Sequence, residues 1–568
     1  METLERFDER DGKTTTSRPV LGAMGLIATA VLSVFLSAML LIDSALAGER
    51  PGARGRALGK VSDEVVAAAG DASPLQLVPV IVQTYGDPGD VDLLLAKNHG
   101  AVVRARHAAI FGYSASVPAG ELDAMADDPK VERISLDAPV HSQLDIAVRA
   151  ARGGFLLDAA SDLDGRGVGI ALVDTGVQLH PDLERGRPDG LVEVEVVGRE
   201  KGFADYYGHG THVAGILNGS GLDSSGPEAF RTFRGVAPGA RLISLRALNP
   251  DGTGTTSDVL RAVDWAILHR RQYNIRVLNL SLGHPVYESF ATDPLCRAVR
   301  AAVNAGMVVV VAAGNQGTLG SGFGTILSPA NEPSAVTVGA MDDSRTVARE
   351  DDVLARFSAR GPSLIDHIVK PDLVAPGAFI VSLRATGSLL DRTHPEAVLA
   401  TGAYRTDGDR TRPGDYMVFS GTSLAAPMVS GAAALMFQQE PGLRPSDVKA
   451  RLMASAAKDD RLPFETGAGY LDIEAALGSR VTASSALSPL AVPGPDGNIA
   501  VQPLEGSWDS SWQQGLIWGG QRFFGTLMAT ENDQVSSSGL VWGGSGCRLL
   551  GLADGTLTAN GLTWSGGN

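Results

Sequence analysis

Five short runs rich in Val, Leu and Ile, at 168–173, 241–248, 276–281, 307–312 and 335–339, are mostly apolar at consecutive rather than alternate positions. A strand with one wet face alternates, whereas one that is apolar throughout has to be covered on both faces. Between these runs lie stretches with helical spacing, clearest at 257–271 and 294–305. Strands of this kind interleaved with helices predict an α/β fold, a parallel sheet flanked by helices on both faces. Such sheets gather the polar residues that end their strands along one edge, where their sites form. Asp174, Ser281 and Asn315 all end such runs.

Three segments carry groups suited to act together. Ile170-Ala171-Leu172-Val173-Asp174-Thr175-Gly176 is an apolar run that delivers a carboxylate and then turns. His209-Gly210-Thr211-His212-Val213-Ala214-Gly215 opens a helix with an imidazole, followed by small residues that permit close packing. Phe419-Ser420-Gly421-Thr422-Ser423-Leu424-Ala425-Ala426-Pro427 puts a serine between a glycine turn and a small-residue run, 428–435, that reads as a buried helix. A serine hydroxyl is a poor nucleophile until a histidine accepts its proton. The histidine needs a carboxylate to hold its tautomer and stabilise its charged form. Taken singly, the aspartate is a turn residue, the histidine a packed side chain and the serine an N-cap. His209 and His212, three apart, also suggest two metal ligands, but no third ligand is spaced nearby and the Glu of a zinc-protease helix is missing. Together the three segments favour a Ser–His–Asp triad of Ser423, His209 and Asp174.

These motifs resemble those of the subtilisin-like serine proteases, the subtilases, from about residue 158 to about 477. The order Asp, His, Ser is that of subtilisin. The resemblance makes the first histidine of its motif, His209, the catalytic one. Leu424 stands where methionine is more frequent. Val308-Val309-Val310-Val311-Ala312-Ala313-Gly314-Asn315 is similar to the family segment whose asparagine donates to the oxyanion, which implies that role for Asn315. Two segments resemble the family's substrate-flanking edges: Gly252-Thr253-Gly254, and Ser281-Leu282-Gly283 at the end of 277–283. With Ala313 and Gly314 they form the expected substrate-binding set, along which an extended polypeptide adds as a strand. Their lack of fixed charge favours an apolar side chain before the cut. The chemistry requires no cofactor and assigns no metal. Asp182 matches a family calcium-ligand position, but the loop at 218–233 departs from the usual pattern, so structural calcium is left unassigned.

The N-terminal third reads as a secretory, latent arrangement. Residues 20–42 are almost wholly apolar, preceded by Arg18 and followed by Ala45-Leu46-Ala47. Residues 1–47 are therefore a signal peptide or an uncleaved anchor, which would be the only membrane contact. A linker at 48–74 leads to a small α+β unit at 75–142, with strands at 78–83, 102–107, 113–117 and 131–136 and helices at 91–98 and 118–128. Its segment from Tyr113-Ser114-Ala115-Ser116-Val117-Pro118 to Leu136 resembles the subtilase propeptide. The resemblance implies an intramolecular inhibitor and folding template, cut between about Asp137 and Val148. The catalytic domain is expected at 143–480.

Residues 481–568 form a linker and a tail that repeats Gly-Leu-x-Trp around Trp518, Trp542 and Trp564. This suggests short strand-turn units that bind carbohydrate or a cell surface, or merely pack on each other. A long polar stretch, 381–419, reads either as a border of the cleft or as a solvated insertion. The net charge of −16 and absence of a basic patch exclude nucleic acid as a partner. Two cysteines, Cys296 and Cys547, make no disulfide framework. The expected function is a secreted serine endopeptidase made as a self-processing zymogen. The alternative is a cell-surface adhesion or scaffold protein with a dormant protease domain and a binding tail.

Overall fold

The computed structural model describes the chain from Gly59 to Gln502, apart from residues 71, 138, 143–161, 185–189, 197, 199–203, 320–321, 345–348, 350, 459–460 and 494–498. Beyond Gln502 it describes Leu504 and six short strands. The apolar N-terminal run and residue Cys547 lie outside these residues. Among the described residues no helix is long and apolar enough to cross a membrane.

The N-terminal unit comprises α1 (Asp63–Gly70), β1 (Leu77–Thr84), α2 (Asp90–Asn98), β2 (Val102–His107), β3 (Gly112–Pro118), α3 (Leu122–Ala126) and β4 (Val131–Leu136). Its antiparallel sheet has the order β2-β3-β1-β4. Val80, Val82, Tyr113, Ala115, Leu122 and Ile134 fill its core. The four strands fall where hydrophobic pattern places them. The helix expected at 118–128 is shorter: residues Ala119–Glu121 form a 3₁₀ turn and the α-helix covers Leu122–Ala126. The linker expected at 48–74 is also corrected. Val61 and Val65 enter the same core, and Ile134 N–H donates to Lys60 O (2.7 Å), so the unit begins by about Lys60.

After β5 (Pro139–Ser142), the large body contains β6 (Gly169–Asp174), β7 (Leu191–Glu195), α4 (His209–Asn218), β8 (Arg241–Arg246), β9 (Thr253–Thr255) and α5 (Thr256–His269). It continues through β10 (Ile275–Leu280), β11 (Leu282–Gly283), α6 (Pro294–Asn304), β12 (Val308–Ala312), β13 (Val336–Asp342), β14 (Val353–Leu354) and β15 (Leu373–Pro376). The main sheet runs β14-β13-β12-β10-β6-β8-β7 with β15 beside β13. Every pairing in it is parallel except β13 with β14. All five apolar runs supply strands of this sheet. One face is covered by α4 and by α7 (Thr422–Gln439), the other by α5 and α6. The expected α/β architecture is present.

The N-terminal unit docks on α5 and α6. Ile81 and Ile110 join the core between those helices and the sheet. Ala109 N–H donates to Asp264 Oδ1 (2.8 Å) and Gln83 Nε2 to Thr292 O (2.6 Å). The polar stretch 381–419 folds as an antiparallel sheet, in which β18 (Pro413–Phe419) lies between β16 (Ile380–Leu383) and β17 (Val398–Ala400). Two of its five arginines are in ion pairs, Arg384 with Asp391 and Arg405 with Asp407. Leu389 and Leu390 donate to the carbonyls of Tyr206 and Tyr207, so the stretch lies against the loop that precedes His209.

The body does not end near 480. Lys370 and Lys449, the latter on α8 (Pro445–Ser455), are buried beside the carboxylate of Asp372. The Ser488 hydroxyl completes this cluster, donating to Asp372 Oδ1 (2.6 Å) and accepting from Lys449 Nζ (2.8 Å). Val369 N–H then donates to Pro489 O (2.8 Å). A hairpin of β19 (Leu490–Pro493) and β20 (Ile499–Gln502) follows, and the Ala491 N–H donates to His367 O (2.8 Å), so the packed body reaches at least Ala491. In the tail, Trp542 and Trp564 lie on strands Val541–Gly543 and Leu562–Ser565, while Trp518 is outside the described residues.

Candidate active site

Asp174 ends β6 near the centre of the sheet and is buried. Its Oδ1 accepts from the Thr175 N–H (2.7 Å) and from His209 Nδ1 (2.7 Å). With Nδ1 carrying the proton, Nε2 keeps its lone pair. That atom is buried and makes no hydrogen bond in the structure. This is the protonation state a general base requires.

Local sequence explains the approach. A Cβ at residue 210 would lie 2.1 Å from Gly176 O and 3.2 Å from Asp174 Cβ, so only glycine lets the first turn of α4 close on the Asp174 turn. Gly208, the N-cap, has φ 107°, and a Cβ there would meet Ser388 Oγ at 2.5 Å. His212 lies on the same helix but does other work. Its Nε2 faces Met417 O (3.4 Å) and its ring packs edge-on against Phe419. Burial and the neighbouring His209 push it down to about 3, so it stays neutral.

Ser423 is the second residue of α7 and is buried. It sits in the first turn, whose N–H groups lack intrahelical acceptors and carry the positive end of the helix. Pro427, four residues on, has no N–H for the Ser423 carbonyl. Ser281 fills the gap, its Oγ donating to Ser423 O (2.8 Å). Ser281 Oγ accepts from Asn279 Nδ2 (2.9 Å), and Asn279 Oδ1 accepts from Ser430 Oγ (2.8 Å). A buried polar chain thus ties the end of β10 to two turns of α7.

Asn315 follows β12. Its Oδ1 accepts from both the N–H and the Oγ1 of Thr422 (3.0 Å each), which points its Nδ2 donor the other way. Gly314, at φ +119°, donates its N–H to Thr422 Oγ1 (3.1 Å). A Cβ there would come within 2.8 Å of Leu327.

The substrate-flanking edges are separated by a strand of the chain itself. β5 lies between β9 and β11, antiparallel to both. Val140 faces Gly254 and His141 faces Thr253 on one side; His141 faces Gly283 and Ser142 faces Leu282 on the other. Of the expected binding set, Thr253, Gly254, Leu282 and Gly283 make this ladder. Ser281 instead touches Ser423, and Gly252 closes the turn before β9 through Asn249 O (2.9 Å). Ala313 exchanges backbone bonds with Val338 and Leu327, and with Gly314 it lies outside the ladder.

Asp182 falls within the one cluster of candidate metal-binding groups among the described residues, with His180 and Asp223. The donors around it do not fit calcium. Asp182 Oδ2 accepts from the Tyr416 hydroxyl (2.7 Å) and Oδ1 from the Asp223 N–H (2.9 Å). His180 Nδ1 accepts from the Asp182 N–H (3.2 Å). Calcium needs six to eight oxygens turned toward it, and these already face N–H and O–H groups.

Sequence reading missed Asp205, whose carboxylate accepts from Thr175, Gly208 and Thr211. An acidic residue four places before His209 was its only local signal. Ser430 was equally hidden inside a small-residue helix.

The family model described as "Subtilase family" matches residues 165–469. Serine protease AprX of Bacillus subtilis (strain 168) is 36% identical over 392 residues, 67% of this chain and 82% of that protein. Subtilisin DY of Bacillus licheniformis is 32% identical over 318 residues, covering 56% and 93%. The extracellular serine proteinase of Thermus sp. (strain Rt41A) is 32% identical over 392 residues, covering 67% and 80%. Among solved structures, fervidolysin from Fervidobacterium pennivorans, described as a keratinolytic enzyme related to subtilisin, aligns with a TM-score of 0.54 and 20% identity. That alignment covers 74% of this chain and 64% of fervidolysin and bears on the fold alone.

Proposed function

Because the chain belongs to the subtilase family and is a subtilisin-like serine endopeptidase, we propose that it cuts polypeptides through an acyl-enzyme on Ser423 and is made as a latent form that processes itself. Ser423 Oγ attacks the peptide carbonyl while His209 Nε2 takes its proton. His209 then passes that proton to the leaving amine, and water repeats the sequence on the ester. Asp174 holds the ring and stabilises its charged form. Asn315 Nδ2 donates to the oxygen that becomes an oxyanion. The observation that carries this reading is the 2.7 Å bond from His209 Nδ1 to Asp174, which leaves Nε2 as the basic atom. The chemistry needs no cofactor.

Latency is supported by β5, which occupies the edges that a substrate would use. The unit before it is anchored on α5, where Asp137 accepts from the Ser257 N–H and Oγ (2.8 Å each) at the helix N-terminus. An inhibitor tethered to its own groove competes at high effective concentration, so release requires cutting the tether. Extracytoplasmic location is supported by the apolar run at 20–42 and Ala45-Leu46-Ala47, and by a relative named as extracellular.

Intact mass and N-terminal sequencing of purified wild type beside Ser423→Ala test the reading. Wild type is expected to lose its N-terminal unit and hydrolyse a peptide substrate. The alanine variant is expected to keep the unit and hydrolyse nothing. Hydrolysis by the alanine variant at the wild-type rate would overturn the assignment.

A further inference from the structure

Asp205 bonds neither the Asp174 nor the His209 side chain; it binds instead the segments on either side of their meeting point. It is 3% exposed. Its Oδ1 accepts from Thr175 Oγ1 (2.8 Å) and the Gly208 N–H (2.7 Å); its Oδ2 accepts from the Thr211 N–H and Oγ1 (2.8 Å each). Thr175 is the residue whose N–H donates to Asp174 Oδ1 (2.7 Å). Gly208 and Thr211 enclose His209 at the start of α4. The same Thr175 hydroxyl accepts from the Gly210 N–H (2.9 Å), so the two segments are bonded on three sides of one carboxylate.

We propose that Asp205 is a positioning residue for the hydrolytic reaction, an ionised clamp that holds the Asp174 turn and the His209 turn in a single register. This rests on the triad reading above and extends it. Four donors converge on two oxygens, an arrangement that suits a carboxylate and no other side chain of this size. Burial raises the carboxyl above its usual range, while the bonds from Gly208, Thr211 and Thr175 oppose that shift. The positive end of α4 adds a further preference for the anion. The clamp acts on alignment. Triad geometry tolerates displacements of only a fraction of an ångström, and a shift of about 1 Å can cost on the order of 10² in rate. Substrate binding relies on β9 and β11, which the clamp does not touch, so its loss separates turnover from affinity.

The test uses the processed wild-type enzyme, Asp205→Asn and Thr175→Val, with active sites counted by a serine-reactive sulfonyl fluoride so that kcat refers to competent molecules. Asparagine keeps the shape but turns an N–H₂ group toward at least one pair of donors. Valine removes the hydroxyl that joins Asp205 to the Asp174 turn, and with it the acceptor of the Gly210 N–H. The expected result is a kcat per titrated site lowered about 10- to 100-fold in Asp205→Asn and by a smaller factor in Thr175→Val, with KM within about twofold of wild type in both. A kcat per titrated site equal to wild type in Thr175→Val would overturn the proposal. So would a loss in Asp205→Asn confined to melting temperature or to the fraction of competent molecules. Should Asp205→Asn fail to fold, Thr175→Val decides alone. An inactive wild type would instead refute the triad reading, so the two failures are distinguishable.

Discussion

His141 and Gly283 face each other across an antiparallel ladder, which places the end of the N-terminal unit on an edge of the catalytic groove. A strand added by backbone pairing is held whatever its side chains are. Under the proposed function, the same edge accepts the chain's own segment and a substrate polypeptide in turn, and the two exclude one another. Gly283 also packs closely against residues 327 and 328, where a Cβ would meet Ser328 O at 2.7 Å.

The ladder predicts where the chain cuts itself. Ser142 is opposite Leu282, and one position further along the groove edge is Ser281, whose hydroxyl holds the Ser423 carbonyl. Continuing that register by one residue makes the bond after Gln143 the one expected to be cut. N-terminal sequencing of the processed protein is expected to begin at Leu144. A start upstream of Pro139 would contradict the register.

Ser423→Ala and His209→Ala should each abolish nearly all turnover, and the double variant should be no worse than either. In subtilisin the corresponding loss is about 10⁶ in kcat, with a residual rate above that of water. Steady-state kinetics on a short peptide, after the N-terminal unit has been removed by an added protease, provide the check. Additive losses would argue that the two side chains do not form one unit.

Asn315→Ala is expected to lower kcat by about 10²–10³ with little change in KM, the loss measured for the equivalent donor in subtilisin. Because Asn315 Oδ1 also binds Thr422, Thr422→Val separates the two roles. It removes the hydroxyl anchor and keeps the donor, so its loss in kcat should be smaller. Equal losses would reduce Asn315 to a brace for α7.

The buried lysine pair makes stability depend on pH. Burial pushes Lys449 down to about 7, with Asp372 opposing the shift, against about 10.4 for an unfolded lysine. Between those values the unfolded chain holds a proton that the folded chain has released, so stability rises with pH across that window. Lys449→Met keeps the Lys370–Asp372 pair and removes this contribution. Urea melts from pH 7 to 10 should show wild type gaining on the variant by up to about 1.4 kcal/mol per pH unit. A flat difference would mean that Lys449 is not depressed.

Truncation separates the tail from the body. A chain ending at Gln502 should keep its melting temperature and its peptide hydrolysis. One ending at Ala483 loses Ser488 and β19, leaving buried groups of Lys449 and Asp372 short of a partner, at a cost of about 1–3 kcal/mol or more. Thermal melts of the two truncations decide the boundary.

Much of the architecture was legible because it is local. A strand covered on both faces shows itself as a mostly apolar run without polar alternation, and β6, β8, β10, β12 and β13 all appear that way. The residues that meet as Asp174 and His209 were readable because each ends or opens an element whose start is marked by glycine and small residues. The helix α1 and the hairpin β19–β20 were not, since each is held by a partner distant in sequence rather than by its own periodicity.

By itself, then, the amino-acid sequence determined the parallel sheet, the small N-terminal sheet and the chemical identity of the groups at the strand ends. These depend on burial repeating every two to four residues. Only the tertiary structure decided what lies in the groove, what holds the triad segments together and where the body ends. Ser257 meets Asp137 across 120 positions and Ser488 meets Asp372 across 116, while Ser281 reaches a Ser423 carbonyl left without its helical donor by Pro427. A hydrogen bond between residues so far apart leaves no repeat in the chain. It arises because buried polar groups must find partners, and which partner is within reach is set by the packed fold.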